Sequence, residues 1–183
     1  MKNKGIVKID EVGRLVIPKD VRELLNLNDK LVRVYVDDDR VIIKKYAPIS
    51  LYKSLLCCVC NEVEKLTGYA CVVGDMRIIT EVSKDELKFL KGKCISSELK
   101  KIVTEERNAV INISNGYDAI RICEGIDFEY NALCLTTLRD EFSLLGFLGV
   151  IATNGAKLGE RELNALNIAK QLFLTVVKSQ KNG

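Results

Sequence analysis

Residues 5–25, GIVKIDEVGRLVIPKDVRELL, decide the architecture of the first part of the chain. The apolar stretches at residues 5–9 and 15–17 predict two strands, joined by a turn at residues 11–13. Pro18 then stands where proline opens a helix, because the N–H that it lacks would have no partner in the first turn. A short helix is therefore expected after Pro18, with three apolar side chains on one face: Val21, Leu24 and Leu25.

The next segment alternates between apolar and polar residues, which is the pattern of a half-buried strand. Three valines, Val32, Val34 and Val36, point to one side of this strand. Three aspartates at residues 37–39 predict a turn, after which residues 41–46 return as a second strand. Residues 31–46 are therefore predicted to form a β-hairpin.

These first 46 residues contain too little chain to enclose a hydrophobic core alone. An obligate dimer of interleaved strands is the simplest arrangement that buries Val16, Ile17, Val34 and Ile43. The sequence therefore predicts that a second copy of the chain completes this part.

The rest of the chain reads as an α+β domain with a helix at each end. Pro48 ends the hairpin, and Ser50 is expected to cap a helix over residues 51–66. A hairpin turn at residues 74–75, helical segments over 84–105 and a last helix over 160–178 are also predicted. Strands are expected at residues 69–73, 76–80, 109–113, 119–123, 132–137 and 142–153. We place the domains at residues 1–48 and 49–183.

The last helix is apolar on two flanks, so it is expected to cover the sheet with one and to meet a second subunit with the other. The first flank consists of Leu163, Leu166, Phe173 and Val177. The second flank consists of Ala165, Ala169, Leu172 and Val176.

Charge is distributed unevenly along the 183 residues. Residues 1–48 hold 11 Lys and Arg against 8 Asp and Glu, so the net charge of +3 lies entirely in this segment. A small basic module on a neutral body suggests nucleic-acid binding. The longest apolar run, residues 144–152, is shorter than the roughly 20 residues of a membrane-spanning helix. Because the N-terminus also lacks a secretory signal, we expect a cytoplasmic protein.

The chain has seven cysteines and no histidine. Without histidine, Ser-His and Cys-His nucleophilic pairs and mixed Cys/His zinc sites are excluded, so we expect neither an enzyme nor a bound metal or cofactor. An odd number of cysteines suits reduced thiols rather than a disulfide framework. Cys57, Cys58 and Cys60 fall within a predicted helix, and Cys123 and Cys134 within predicted strands, where cysteine packs as a small hydrophobe.

The order of residues from Gly5 to Leu25, continued through Val34 to Tyr46, closely resembles the N-terminal DNA-binding domain of the AbrB family of bacterial transition-state regulators. Residues 144–151 and 158–172 resemble the final strand and helix of GAF domains, although more loosely. The order of these two domains resembles that in a sporulation regulator of the family. The resemblance implies a swapped-hairpin β-barrel dimer followed by a GAF-like α+β domain that joins dimers into a tetramer.

The family's DNA-contacting arginines correspond to Arg14 in the first turn and Arg22 on the short helix, with Lys8 at the end of the first strand. Arginine suits this role because its rigid fork bonds bidentately to guanine edges or phosphate. Weaker phosphate contacts are expected from Lys2, Lys4 and Lys19. Glu23 departs from the pattern, because some relatives carry a second arginine there and a carboxylate repels phosphate.

Three functional interpretations remain open at this point. The first is a DNA-binding regulator of sporulation-stage genes, placed on the chromosome and in the forespore if the sporulation resemblance holds. The second is an antitoxin-like DNA binder, although such proteins end in a short tail and here over 130 residues follow. The third is a small-molecule sensor whose activity lies in the GAF-like domain. If Arg14 and Arg22 have no role in DNA binding, they are surface residues that are solvated or paired with Asp10 or Glu11.

Overall fold

The computed structural model describes residues 7–24, 32–45, 49–105, 108–116, 118–140 and 144–181. The chain divides into two compact units, an N-terminal unit, Met1–Ala47, and a C-terminal unit, Pro48–Gly183. Within the described ranges, no helix is long and apolar enough to span a membrane.

The first described segment of the N-terminal unit, residues 7–24, contains a tight turn followed by a short helix. One antiparallel bridge joins Ile9 to Leu15, and Gly13, at φ 80°, supplies the left-handed backbone conformation that the turn needs. Helix α1, Lys19–Leu24, follows Pro18 as predicted. The strands predicted on either side of the turn share only this one bridge in the described residues, because an isolated two-stranded ribbon has no further strand to support it.

A regular hairpin forms the rest of the described N-terminal unit, as predicted. Strands β1, Val32–Asp37, and β2, Arg40–Lys45, pair antiparallel, with Val34 opposite Ile43 and Val36 opposite Val41. The register therefore places valines of both strands on one face of the hairpin.

Large apolar side chains of the N-terminal unit remain at its surface. No residue of this unit whose burial is described is buried. Val34 exposes 57% of its surface and Val16 exposes 71%. The others that are exposed are Val7, Ile9, Val12, Leu15, Leu24, Val32, Val36 and Val41. A single copy of this unit therefore leaves its apolar face uncovered.

The C-terminal unit is an antiparallel sheet between two layers of helices and loops. Its five strands have the order β4-β3-β7-β6-β5, and their bounds are β3 Ala70–Gly74, β4 Ile79–Val82, β5 Asn108–Asn112, β6 Ala132–Arg139 and β7 Leu144–Ala152. Its helices are α2 Lys53–Thr67, α3 Ser97–Glu105 and α4 Glu160–Lys181. The predicted α+β architecture with a helix at each end is thus confirmed.

Each face of this sheet carries its own hydrophobic core. On one face, α2 and α4 pack against Val73, Leu148 and Val150, with the rings of Tyr52 and Phe173 5.9 Å apart in an edge-on contact. On the other face, α3, the 3-10 helix Asp85–Leu90 and the loops cover Phe147, among others. Residues 147–151 of β7 alternate between the two cores, as a strand covered on both faces must.

Several details of the C-terminal unit differ from the sequence predictions. Gly74 lies within β3 rather than in the turn, and the Asp75 carboxylate closes the following loop by accepting from the N–H groups of Arg77 and Ile78. Residues 119–123 form no strand; Cys123 makes only isolated bridges to Ile95 and Ile126. These differences arise because side-chain hydrogen bonds satisfy the backbone where a ladder was expected.

Both ends of the predicted helical frame also need correction. A 3-10 helix, Ile49–Tyr52, precedes α2, so Tyr52 and not Ser50 occupies the N-cap position. On α4, Ala169 is buried with the first flank. The exposed apolar stripe of α4 therefore consists of Ile168, Leu172 and Val176.

Candidate nucleic-acid interface

The turn at residues 10–14 is organised by the carboxylate of Asp10. Its Oδ1 accepts hydrogen bonds from the backbone N–H groups of Val12, at 3.1 Å, and Arg14, at 2.7 Å. Its Oδ2 accepts one from Arg14 Nε at 2.7 Å. The backbone N–H of Asp10 donates to the carbonyl of Arg14, and that of Gly13 donates to the carbonyl of Asp10. A single side chain thus holds both the turn and the guanidinium.

Arg14 projects into solvent although it is tethered. Its side chain is 76% exposed, and the Asp10 carboxylate binds Nε, which leaves the two terminal nitrogens as a fork for an external acceptor. The backbone N–H of Arg14, and then its guanidinium, lower the pKa of Asp10 from its ordinary value. The carboxylate is therefore ionised at neutral pH and keeps its hold on Arg14.

The other predicted basic residues lie on neighbouring segments of the same unit. Lys8 is exposed, and the bridge between Ile9 and Leu15 places it across the ribbon, diagonal to Arg14. Arg22 is exposed on α1, and its backbone N–H donates to the carbonyl of Pro18. Lys2 and Lys4 lie outside the described residues.

Lys19 faces Glu23 along one side of α1, and their charged atoms are 3.7 Å apart. This carboxylate stands one residue from Arg22. Glu23 therefore reduces the positive potential of α1.

Sequence reasoning considered the pairing of Arg14 with Asp10 only as an alternative to DNA contact. The geometry makes this pairing compatible with an external contact, because Asp10 binds Nε while the Arg14 side chain stays exposed. The signal in the sequence is an aspartate four residues before an arginine, with Gly13 in the turn between them.

A cavity of about 180 Å³ forms a second candidate site, in the C-terminal unit. Glu98 at the start of α3 accepts a hydrogen bond from the backbone N–H of Arg121 at 2.6 Å. The Arg121 guanidinium binds Asp127 at 2.9 Å, and Tyr130 Oη both donates to the carbonyl and accepts from the N–H of Ile120. Apolar side chains complete the wall: Ala119, Ile122, Ile126 and Phe128.

The cysteines divide into exposed and buried thiols. Cys57, Cys58 and Cys94 are exposed. Four are buried: Cys60, Cys71, Cys123 and Cys134. Burial raises the pKa of Cys134 to about 12 and that of Cys123 to about 11, and a hydrogen bond with Cys71 raises the pKa of Cys60. In the described part of the chain, no three His, Cys, Asp or Glu side chains cluster in a way that could hold a metal ion.

Comparisons with known proteins bear on the family of the chain. Residues 6–50 match the family described as antidote-toxin recognition MazE, bacterial antitoxin. The transition state regulatory protein AbrB of Bacillus subtilis (strain 168) is 35% identical over 117 residues, which cover 62% of this chain and 97% of that protein. Stage V sporulation protein T of the same organism is 28% identical over 172 residues, covering 92% of this chain and 94% of that protein.

Among solved structures, a red/green cyanobacteriochrome in its red-light-absorbing state matches with a TM-score of 0.53 at 16% identity. The match covers 70% of this chain and 95% of that one. It shows a shared fold for the C-terminal unit, which is GAF-like as the sequence predicted.

The fold and the N-terminal site define a transcription regulator with a MazE/AbrB-type domain followed by a GAF-like domain. The extent of the similarity to the AbrB protein makes the assignment more specific. The chain belongs to the AbrB family of transition-state regulators.

Proposed function

We propose that this protein regulates transcription by binding duplex DNA through residues 1–48, while residues 49–183 assemble and regulate it. The observation that supports this most directly is the exposed, tethered Arg14 on a turn that matches the family's N-terminal domain. Arg22 and Lys8 extend the contact, with Lys2, Lys4 and Lys19 adding weaker phosphate contacts. The proposed role is regulatory rather than catalytic.

The proposed DNA-binding form is a dimer of the N-terminal unit. Valines such as Val16, Val34 and Val36 are too exposed for a stable monomer, and a second copy with interleaved strands would cover them. On α4, the stripe of Ile168, Leu172 and Val176 supports pairing of dimers into a tetramer. Two or four copies of Arg14 would then act together and raise the effective concentration of each contact.

Similarity to stage V sporulation protein T over nearly the whole chain supports a role in controlling sporulation-stage genes. We therefore propose that the protein acts on the chromosome, in the cytoplasm and in the forespore. The alternative suggested by the antitoxin family, neutralisation of a toxin, is less favoured, because a folded GAF-like unit follows where an antitoxin has its short tail.

Selection of genomic DNA fragments by the purified full-length protein tests the proposal. The wild type is expected to enrich a defined set of fragments. Replacing Arg14 or Arg22 with Ala is expected to cost about 1–3 kcal/mol of binding to an enriched duplex. Arg77→Ala is the matched control, because Arg77 is an exposed arginine of the C-terminal unit. Unchanged binding by the double variant Arg14→Ala, Arg22→Ala would refute the proposed interface.

Ligand sensing is a second candidate function, supported by the cavity beside Arg121. Its walls present carboxylates from Glu98 and Asp127, a guanidinium and several apolar side chains. This combination suits a small molecule that carries both an ammonium and a carboxylate on an apolar body, which is the chemistry of an α-amino acid.

Titration calorimetry of the full-length protein with a panel of free α-amino acids tests this second function. Saturable binding of at least one of them is expected, and Arg121→Ala should abolish it while Arg77→Ala does not. The Ala variant keeps the backbone N–H that binds Glu98, so the cavity wall is retained. Lack of binding across the panel would leave the C-terminal unit with assembly as its proposed role.

A further inference from the structure

Asp10 is an unexpected residue at the start of a turn that is proposed to contact phosphate. A carboxylate beside Arg14 cancels much of its charge, and for DNA binding by charge alone it is unfavourable. The ion pair also adds little to the stability of the fold, because the side chains of Arg14 and Asp10 are 76% and 39% exposed and exposed ion pairs contribute little. The hydrogen bonds from the N–H groups of Val12 and Arg14 explain how Asp10 holds the turn, but they do not explain why its second oxygen binds the guanidinium.

The geometry of this pair differs from that of two other ion pairs among the described residues of the N-terminal unit. The charged atoms of Lys19 and Glu23 are 3.7 Å apart, and those of Arg40 and Asp39 are 3.6 Å apart, both beyond hydrogen-bond distance. Asp10 instead binds Arg14 Nε at 2.7 Å, with its second oxygen anchored by two backbone N–H groups. The backbone of the turn therefore fixes the position of the carboxylate that binds the arginine.

We infer that Asp10 is a positioning residue that sets the direction of the Arg14 fork for sequence-selective DNA contact, an inference that rests on the proposed function. An untethered arginine side chain loses much rotamer freedom when it binds DNA. The hydrogen bond to Asp10 already restricts Arg14 before DNA binds, so less conformational entropy is lost on binding. Binding by Nε leaves both terminal nitrogens in one plane for a bidentate acceptor, such as the O6 and N7 edge of guanine. Asp10 therefore contributes to discrimination between sequences at the expense of general attraction to phosphate.

The variant Asp10→Asn separates this role from that of the turn. The amide oxygen of Asn can still accept from the N–H groups of Val12 and Arg14, whereas its NH₂ group cannot accept from Arg14 Nε. Electrostatics alone predicts that Asp10→Asn binds every duplex more tightly. Positioning predicts the opposite for a selected duplex, so the two explanations differ in sign.

The experiment uses the full-length protein, a duplex enriched from genomic fragments and a scrambled duplex of the same composition. Asp10→Asn is expected to weaken binding to the enriched duplex by roughly five- to tenfold, a part of what a base-reading arginine contributes. Binding to the scrambled duplex should be unchanged or tighter, so the specificity ratio falls. Asp39→Asn is the matched control, since it removes a carboxylate from an arginine pair without a hydrogen bond. It should leave the specificity ratio unchanged.

A double-mutant cycle completes the test. In the Arg14→Ala background, Asp10→Asn should no longer weaken binding to the enriched duplex, because the group that it positions is gone. Arg14→Lys should behave like Arg14→Ala in this cycle, because lysine lacks the fork that the carboxylate orients.

Each outcome of the cycle decides one question. Equal specificity ratios for Asp10→Asn and Asp39→Asn, with Arg14→Ala strongly impaired, would overturn the role of Asp10 and leave the proposed function standing. If Arg14→Ala binds normally while Arg22→Ala does not, Arg14 is no contact and the inference about Asp10 fails with it. If the wild type shows no preference for the enriched duplex, the proposed function itself fails.

Discussion

The two units of the chain solve the problem of burying apolar side chains in different ways. The five-stranded sheet of the C-terminal unit is covered on both faces, so that Phe147, Leu148 and Leu166 are fully buried within one copy. The hairpin of the N-terminal unit exposes a row of valines instead, with Val34 at 57% and Val36 at 79%. Strand pairing alone therefore stabilises neither unit. The C-terminal sheet is covered by helices and loops of the same chain, whereas the N-terminal hairpin is expected to be covered by a second copy.

This difference has a consequence for stability. The C-terminal unit is expected to unfold independently of protein concentration, unless assembly through α4 contributes. The N-terminal unit is expected to fold with its partner, so its stability should rise with concentration. DNA binding by the N-terminal unit is thus expected to depend on association, and mutations in the two units should give different signatures.

Phe147→Ala should have the largest effect on stability, about 3–5 kcal/mol, because it removes a fully buried ring from the core on one face of the sheet. Chemical denaturation monitored by circular dichroism measures the change. Phe89→Ala is the control, because Phe89 is 44% exposed and contacts Phe128 only edge-on. Similar losses in the two variants would contradict the placement of this core.

Val34→Asp should break the proposed association of the N-terminal unit. A charge on the exposed valine face cannot be buried against a second copy, so DNA affinity is expected to fall by at least about a hundredfold. Sedimentation should show a smaller assembly, while the melting transition of the C-terminal unit is unchanged. Val34→Thr, which keeps the shape, should lose less. Normal assembly and DNA binding by Val34→Asp would show that this face is not an interface.

The extent to which the sequence predicts the fold depends on how local the signals are. The β-hairpin, α1 after Pro18 and the long α4 follow from periodicity and caps, and the structure contains all three. The segment at residues 119–123 is mostly apolar, which predicts a strand. Its backbone is satisfied instead by Tyr130 Oη and by bridges of Cys123, contacts that no local pattern reveals.

For the candidate site, too, the sequence predicts what depends on local signals and not what depends on the folded backbone. Arg14 and Arg22 could be named from the residue order, and Glu23 as a departure from it. The hydrogen bonds of Asp10 depend on the backbone of the turn, where Gly13 takes φ 80°. The cavity beside Arg121 joins α3 to a loop more than twenty residues later, so its lining residues could not be identified from sequence.

A smaller effect is expected at Glu81, whose buried carboxylate is bonded to Lys91 Nζ at 2.6 and 2.8 Å. Lys91→Met removes the charged partner of this carboxylate, which keeps a longer hydrogen bond from the N–H of Val82 at 3.3 Å, and should cost about 1–3 kcal/mol. Glu81→Gln should cost less, because the neutral amide can still accept from Lys91. Lys88→Met is the control, since Lys88 pairs with Asp85 at an exposed position. A loss in the control as large as that in Lys91→Met would mean that burial of the pair is unimportant.

The smallest perturbation, thiol modification, tests the C-terminal unit without altering its sequence. At neutral pH, Cys57, Cys58 and Cys94 should react with a thiol reagent in the native protein, and the four buried cysteines only after unfolding. The raised pKa values of Cys123, about 11, and Cys134, about 12, keep these thiols protonated in the folded state. Their contribution to stability should be complete below the pKa of an unfolded thiol, about 8.5, and lost as the pH rises through the folded values.

Mass spectrometry of the labelled peptides measures which cysteines react in the native protein. Rapid labelling of Cys134 in the native protein would indicate that α4 opens from the sheet, and the C-terminal unit would then resemble the N-terminal unit in needing a partner.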